Sequence, residues 1–105
     1  MTAVLEIVRD PVDGHLRARA PALFRALADW LESDVQEDPA HARLLLEQVR
    51  GEADGEHVGN AYVLVLNGTE ARIEALHDPD ERLALPRRDL AGALQGWLAA
   101  LDRRA

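Results

Sequence analysis

Apolar and polar positions alternate most clearly between Gly59 and Leu76. Tyr62, Leu64 and Leu66 fall on one parity, and Ala61, Val63 and Val65 on the other. Such a run predicts a β-strand, because successive side chains project to opposite faces. A second run, from Thr69 to Leu76, follows Asn67-Gly68, a dipeptide that tolerates positive φ and suits a two-residue turn. Closing the hairpin on that dipeptide sets Leu66 opposite Thr69, Leu64 opposite Ala71 and Tyr62 opposite Ile73 on an apolar face. Val65, Val63 and Ala61 then meet Glu70, Arg72 and Glu74 on a mixed face that can touch water.

The same pattern predicts the remaining elements. Residues 3–9 form a strand, and Asp10-Pro11-Val12-Asp13-Gly14 is turn chemistry. His15 to Ala20 alternates, with Leu16, Ala18 and Ala20 inward and His15, Arg17 and Arg19 outward. A helix opens at Pro21 and ends near Gln36, with a stripe of Leu23, Leu27, Trp30 or Leu31, and Asp34 or Val35, widened by Phe24. Asp38-Pro39 is an N-cap followed by N1. The second helix buries Ala42, Leu45, Leu46 and Val49, and Gly51 takes C′. Residues 51–59 form an acidic, glycine-spaced mobile loop, and 77–81 another turn-rich one. A short optional strand covers 82–85. Pro86 precedes a last helix with the stripe Leu90, Leu94, Trp97, Leu98 and Leu101. The expected fold is one α+β domain over 1–105, in the order ββααββα. Two hairpins, with a fifth short strand at 82–85, make an antiparallel sheet, and three helices pack on one of its faces.

The length of 105 residues supports a single core. There is no cysteine, so neither disulfides nor thiol chemistry arise. The charged Glu6 arrives too early for a signal-peptide core, and no apolar run approaches the roughly 20 residues of a membrane span. A cytoplasmic location without membrane contact is the expectation. All 12 basic residues are arginine, which fits the coding bias of a GC-rich bacterial genome. Residues 29–56 hold nine acids (Asp29, Glu32, Asp34, Glu37, Asp38, Glu47, Glu52, Asp54, Glu56) and two bases, Arg43 and Arg50, which equals the whole net charge of −7. Nucleic acid, which attracts a basic stripe, is not an expected partner.

Catalytic and metal motifs are missing. His15, His41, His57 and His77 show no ligand spacing. His77-Asp78-Pro79-Asp80-Glu81 lacks the acids of a calcium loop and reads as a solvated turn. Glu52, Asp54 and Glu56 alternate on the glycine-spaced loop, where mutual repulsion keeps it extended. Gly51, Gly55 and Gly59 have the wrong spacing for a phosphate cradle. Ser33 is the lone serine and lacks a nucleophile elbow. Glu70 and Glu74 flank Arg72 as a charged strand row, and Trp30 and Trp97 lie on helix stripes, as core residues do. No metal or cofactor is expected.

Several pieces together resemble the YacL-like family of small, uncharacterised bacterial proteins. They are the apolar strand ending in Arg9-Asp10, the Gly14 turn, the helix with Trp30 and its acidic exit, and the leucine-rich second helix. Gly59-x-x-Tyr62-x-Leu64, the Asn67-Gly68 turn and the Leu83-x-Leu85 lead-in to the last helix complete the likeness. The segment before Leu83 is shorter and less acidic than the family pattern. The resemblance implies a small cytosolic α+β protein without an assigned activity, and it brings no catalytic residues.

The expected role is therefore a non-enzymatic protein-binding module. Asp34, Glu37, Asp38, Glu52, Asp54 and Glu56 would face a partner with a basic surface, in the manner of an immunity protein or inhibitor. One alternative is a homodimer formed through the Val63/Val65 face. Another is a small enzyme using carboxylates or a histidine such as His15 or His77.

Overall fold

The computed structural model describes residues 5–103. Thr2 and the first two residues of the expected strand 3–9 lie outside that range. β1 (Glu6–Arg9) and β2 (Leu16–Arg19) pair antiparallel, Ile7 opposite Ala18 and Arg9 opposite Leu16. Local bonds make the turn between them. Asp10 accepts the Val12 N–H at 2.8 Å, Asp13 accepts the His15 N–H at 2.9 Å, and Gly14 takes φ +77°, which glycine does without steric cost. Leu16 and Ala18 are buried while His15 and Arg19 are exposed, as the alternation requires.

The helix expected over 21–36 is three pieces. A 3₁₀ turn at Ala22–Phe24 leads into α1 (Arg25–Trp30), and a π-helical turn follows at Leu31–Val35. Leu23, expected on the buried stripe, is 69% exposed, because the tighter 3₁₀ turn sets a different angular position from an α-helix. The π turn ends at Gln36 with φ +60° and ψ −164°, a region otherwise almost confined to glycine. Three hydrogen bonds hold it there. Its N–H donates to the Leu31 carbonyl at 2.8 Å, its carbonyl accepts Trp97 Nε1–H at 2.7 Å, and its side-chain amide donates to the Ser33 carbonyl at 2.9 Å.

α2 (Pro39–Arg50) starts as expected, with Asp38 Oδ1 accepting the His41 N–H at 3.2 Å and Ala42, Leu45, Leu46 and Val49 buried. Its end departs from expectation. Gly51 is extended (φ −70°, ψ −178°) rather than left-handed. The last carbonyls find another partner: the buried Arg87 guanidinium donates to Val49 O at 3.0 Å, Gln48 O at 2.8 Å and Gly68 O at 2.9 Å. A cation at a helix C-terminus meets the orphan carbonyls and the negative end of the dipole together.

β3 (Gly55–Val58), β4 (Tyr62–Asn67), β5 (Glu70–Ala75) and β6 (Arg82–Pro86) form a four-stranded antiparallel meander in chain order, and α3 (Arg87–Asp102) follows. The optional strand at 82–85 is present as β6. The segment expected as a loop over 51–59 instead supplies β3. The two hairpins also do not share one sheet, since β1–β2 stand apart from the meander. The cause is visible at β2. Its Ala18 N–H donates to Glu32 Oε2 at 2.8 Å and its Leu16 N–H to Glu37 Oε2 at 3.3 Å, so carboxylates occupy the edge where another strand would pair. α3 packs against β1, β5, β6 and α2, and so lies against both sheets.

The central hairpin keeps its expected faces in a different register. Asn67 pairs with Glu70, Leu66 with Ala71, Leu64 with Ile73 and Tyr62 with Ala75. The turn residues are thus Gly68 and Thr69, with Gly68 at φ +60°. The slip preserves parity, so Tyr62, Leu64, Leu66, Ala71 and Ile73 are all buried and Val63, Val65, Arg72 and Glu74 stay half-buried on the outer face. Contacts from outside the hairpin hold this turn. Gly68 N–H donates to Asp54 Oδ1 at 2.8 Å, and Thr69 O accepts the Arg87 N–H at 2.8 Å.

Candidate functional site

The six acidic side chains expected to face a partner do not form one surface. Asp34 is 7% exposed, which removes it from any docking surface. Its carboxylate accepts the Ala61 and Tyr62 N–H groups, each at 3.0 Å, and Ser33 Oγ stands 2.9 Å away. Gly59 makes room for it: a Cβ at that position would collide with the Asp34 carboxylate. Glu37 is half-buried, taking His15 Nδ1–H at 2.8 Å as well as the Leu16 N–H, with Arg9 at 3.7 Å. Asp38 is exposed but caps α2.

Glu52, Asp54 and Glu56 lie beyond the other end of α2, a separation of about 18 Å for twelve residues. Asp54 is exposed and holds Gly68. Glu52 and Glu56 are exposed and, among the described residues, make no hydrogen bond or ion pair. The acidic stretch is therefore divided by role. Asp29 accepts the Tyr62 hydroxyl at 3.2 Å, and Glu32 holds β2 with Arg17 at 3.8 Å. From Asp29 to Asp38 every acid bonds a specific donor of the fold, whereas Glu47, Glu52 and Glu56 face water. Two signals for the inward members were present in the sequence. Position 34 lies four residues after Trp30 on the apolar stripe, and position 87 lies three before Leu90 on the stripe of α3.

Near Tyr62, burial pushes the phenol well above its ordinary range, and the adjacent Asp29 charge adds to the effect. Arg25 forms a bidentate pair with Glu81, and its hydrogen bond holds the Glu81 carboxyl below the usual range. That pair ties the 77–81 loop to α1, while Asp78 accepts the Asp80 N–H at 3.0 Å. His77 to Asp80 are exposed, as a solvated turn is. Trp30 and Trp97 are 2% and 1% exposed, so both belong to the core.

Two concavities among the described residues bear on the site. A broad groove of about 1270 Å³ runs past Arg50, Glu52, Thr69, Glu70, Pro86 and Arg88. A smaller one of about 390 Å³ contains His15, Arg17, Glu32, Gln36, Glu37 and Asp38. The His15–Glu37 pair in the smaller groove has the form of an oriented base, but among the described residues no serine lines that groove; the hydroxyl of Ser33 is engaged elsewhere, by the Asp29 carbonyl at 2.7 Å and by Asp34. Among the described residues no group of three or more His, Cys, Asp or Glu side chains is placed to hold a metal ion. Nor, among those residues, is any helix long and apolar enough to cross a membrane.

The remaining feature is the edge of the larger sheet. β3 pairs with β4 on one side, and among the described residues no strand pairs with its other side. Glu56 and Val58 are exposed there, Val58 to 72%. Comparison of the chain with protein-family models, with curated proteins and with solved structures finds no match, so the likeness to the YacL-like family stands on the residues quoted for it.

Proposed function

We propose that this chain is a non-enzymatic protein-binding module for a partner with a basic surface. The observation that carries the reading is the pair of exposed carboxylates, Glu52 and Glu56, that have no partner among the described residues on a chain of net charge −7. Carboxylates already bonded within the fold have little to offer a partner. Unbonded ones steer a basic protein toward this end of the molecule and give salt-sensitive binding. An inhibitor-like role follows if the basic surface of the partner is its working surface. The non-enzymatic part is supported by the lone serine, Ser33, whose hydroxyl is committed to the Asp29 carbonyl and to Asp34 rather than to the groove that holds His15.

The test is titration of a labelled arginine-rich peptide at low and high salt against the wild type and the Glu52→Gln/Glu56→Gln variant. The reading expects binding at low salt that fades as salt screens it and that the variant weakens. Absence of binding at low salt refutes it. A homodimer is the second reading, favoured by the 72% exposure of Val58 beside the half-buried Val63. Sedimentation at high concentration decides it, and a strict monomer removes it.

A further inference from the structure

We infer that the basic partner docks as an extended segment that adds a strand to the open edge of β3; the inference rests on the protein-binding reading above and specifies its mode. Gly59 N–H donates to the Tyr62 carbonyl at 2.8 Å, and β3 and β4 keep the same pairing sum along their ladder, Val58 with Val63 and His57 with Leu64. In an antiparallel pair the backbone groups of successive residues point alternately toward and away from the partner strand. Gly59, His57 and Gly55 therefore face β4, and the N–H and C=O of Glu56 and Val58 face outward. Those groups are a template for main-chain pairing.

The contrast with β2 gives this edge its meaning. The corresponding amides of β2 are taken by Glu32 and Glu37, so that edge is closed by the chain itself. β3 carries carboxylates as well, but Glu56 is exposed and bonds nothing among the described residues. Asp54, Glu56 and Val58 share one parity. An incoming strand with a basic residue and, two positions on, an apolar one sets them beside Glu56 and Val58, with any further basic residue over the Asp54 end of the strand. Cross-strand neighbours of opposite charge are favourable, and like charges are not.

The same rule argues against a second copy of this chain as the occupant. Across a two-fold axis normal to the sheet, residues of like parity meet. The register that engages both outward residues sets Glu56 against Val58, a shift in one direction sets Glu56 against Glu56, and every register joins two chains of net charge −7 each. A basic segment removes both penalties.

The probe is a labelled peptide containing Val-Thr-Arg-Thr-Arg-Thr-Val, which reads identically in either strand direction. It is titrated at low salt against wild type, Val58→Pro and Glu52→Gln/Glu56→Gln, with amide hydrogen exchange measured on the wild-type complex. Val58→Pro removes an outward N–H and leaves the bonds to β4, since proline is tolerated at such edge positions. Edge pairing predicts protection of the Glu56 and Val58 amides on binding, and about a tenfold or greater loss of affinity in Val58→Pro through lost main-chain bonds. Salt-sensitive binding that Val58→Pro leaves intact, without protection of those amides, overturns the strand-addition mode and keeps the charge-based reading. No peptide binding at low salt overturns both. Concentration-dependent protection of the same amides without peptide identifies a second copy as the occupant and also overturns the inference.

Discussion

Replacing Asp34 by asparagine separates a structural carboxylate from a docking one. The substitution keeps size and shape but converts one oxygen into a donor. Asp34 Oδ1 serves Ala61 N–H and Ser33 Oγ, and Oδ2 serves Tyr62 N–H at 3.0 Å. An asparagine oxygen can keep the first pair, but its NH₂ group then confronts the Tyr62 N–H, donor against donor. Tyr62 is 5% exposed, so water has little access to that amide. A lost hydrogen bond to a charged group together with a buried unsatisfied N–H amounts to about 2–4 kcal/mol. With a urea slope of about 1–1.5 kcal/mol per molar for a chain of this size, the midpoint falls by about 2 M. Fluorescence of the two buried tryptophans, Trp30 and Trp97, reports the transition. Glu52→Gln, at an exposed side chain that makes no hydrogen bond or ion pair among the described residues, is the control and stays within about 0.5 kcal/mol of wild type. An Asp34→Asn midpoint as close to wild type as the control refutes the assignment of Asp34 to the fold. Gly59→Ala extends the test. Its Cβ would collide with the Asp34 carboxylate, so its cost of about 1–3 kcal/mol shrinks when Asp34 is already alanine, as contacting residues are coupled.

Three further outcomes follow from the same geometry. Arg87→Met strips the donors from three carbonyls at the end of α2 and the β4–β5 turn, and chemical denaturation should show a loss of about 3 kcal/mol. Gln36→Gly relieves a backbone conformation that glycine alone adopts easily while keeping the carbonyl that Trp97 uses, so it should raise stability by about 1 kcal/mol; a clear loss in denaturant titration contradicts the strain argument. Tyr62 is the one tyrosine of the chain, and its phenol is held above the ordinary value by burial and Asp29. The unfolded chain releases that proton near its ordinary pKa of about 10 while the native chain keeps it. This contribution is therefore complete below about pH 10 and is lost as pH rises toward the native value. Ultraviolet titration should show phenolate appearing together with unfolding, and a reversible phenolate in the native state at pH 10 contradicts the burial.

The faces of the sheet and helices were legible in the sequence because side-chain parity follows directly from hydrophobic spacing. The alternation Tyr62, Leu64, Leu66 gave the buried face, and Leu90, Leu94, Trp97, Leu98 and Leu101 gave the inner stripe of α3. Register was not legible. Asn67-Gly68 and Gly68-Thr69 are both workable turns with identical faces, and the choice depends on Asp54 and Arg87, distant in sequence. β3 was not legible because Gly55-Glu56-His57-Val58, at the sheet edge, lacks the apolar inward row that marks a strand. The division among the acids also needed the fold. Glu32 and Glu37 look like solvated helix residues until β2 is placed with its unpaired amides beside them. Asp34 alone advertised burial, through its place on the stripe.

Location, not total charge, decides what each acid does. The affinity of the Val-Thr-Arg-Thr-Arg-Thr-Val peptide for two variants that each remove two charges separates the two, compared under conditions where both retain the wild-type circular dichroism. Glu52→Gln/Glu56→Gln should lose about tenfold in affinity, whereas Glu32→Gln/Glu37→Gln should stay within about twofold, since screening blunts charges held at a distance. Equal losses in the two variants would mean that only net charge matters and that the position of the acids does not.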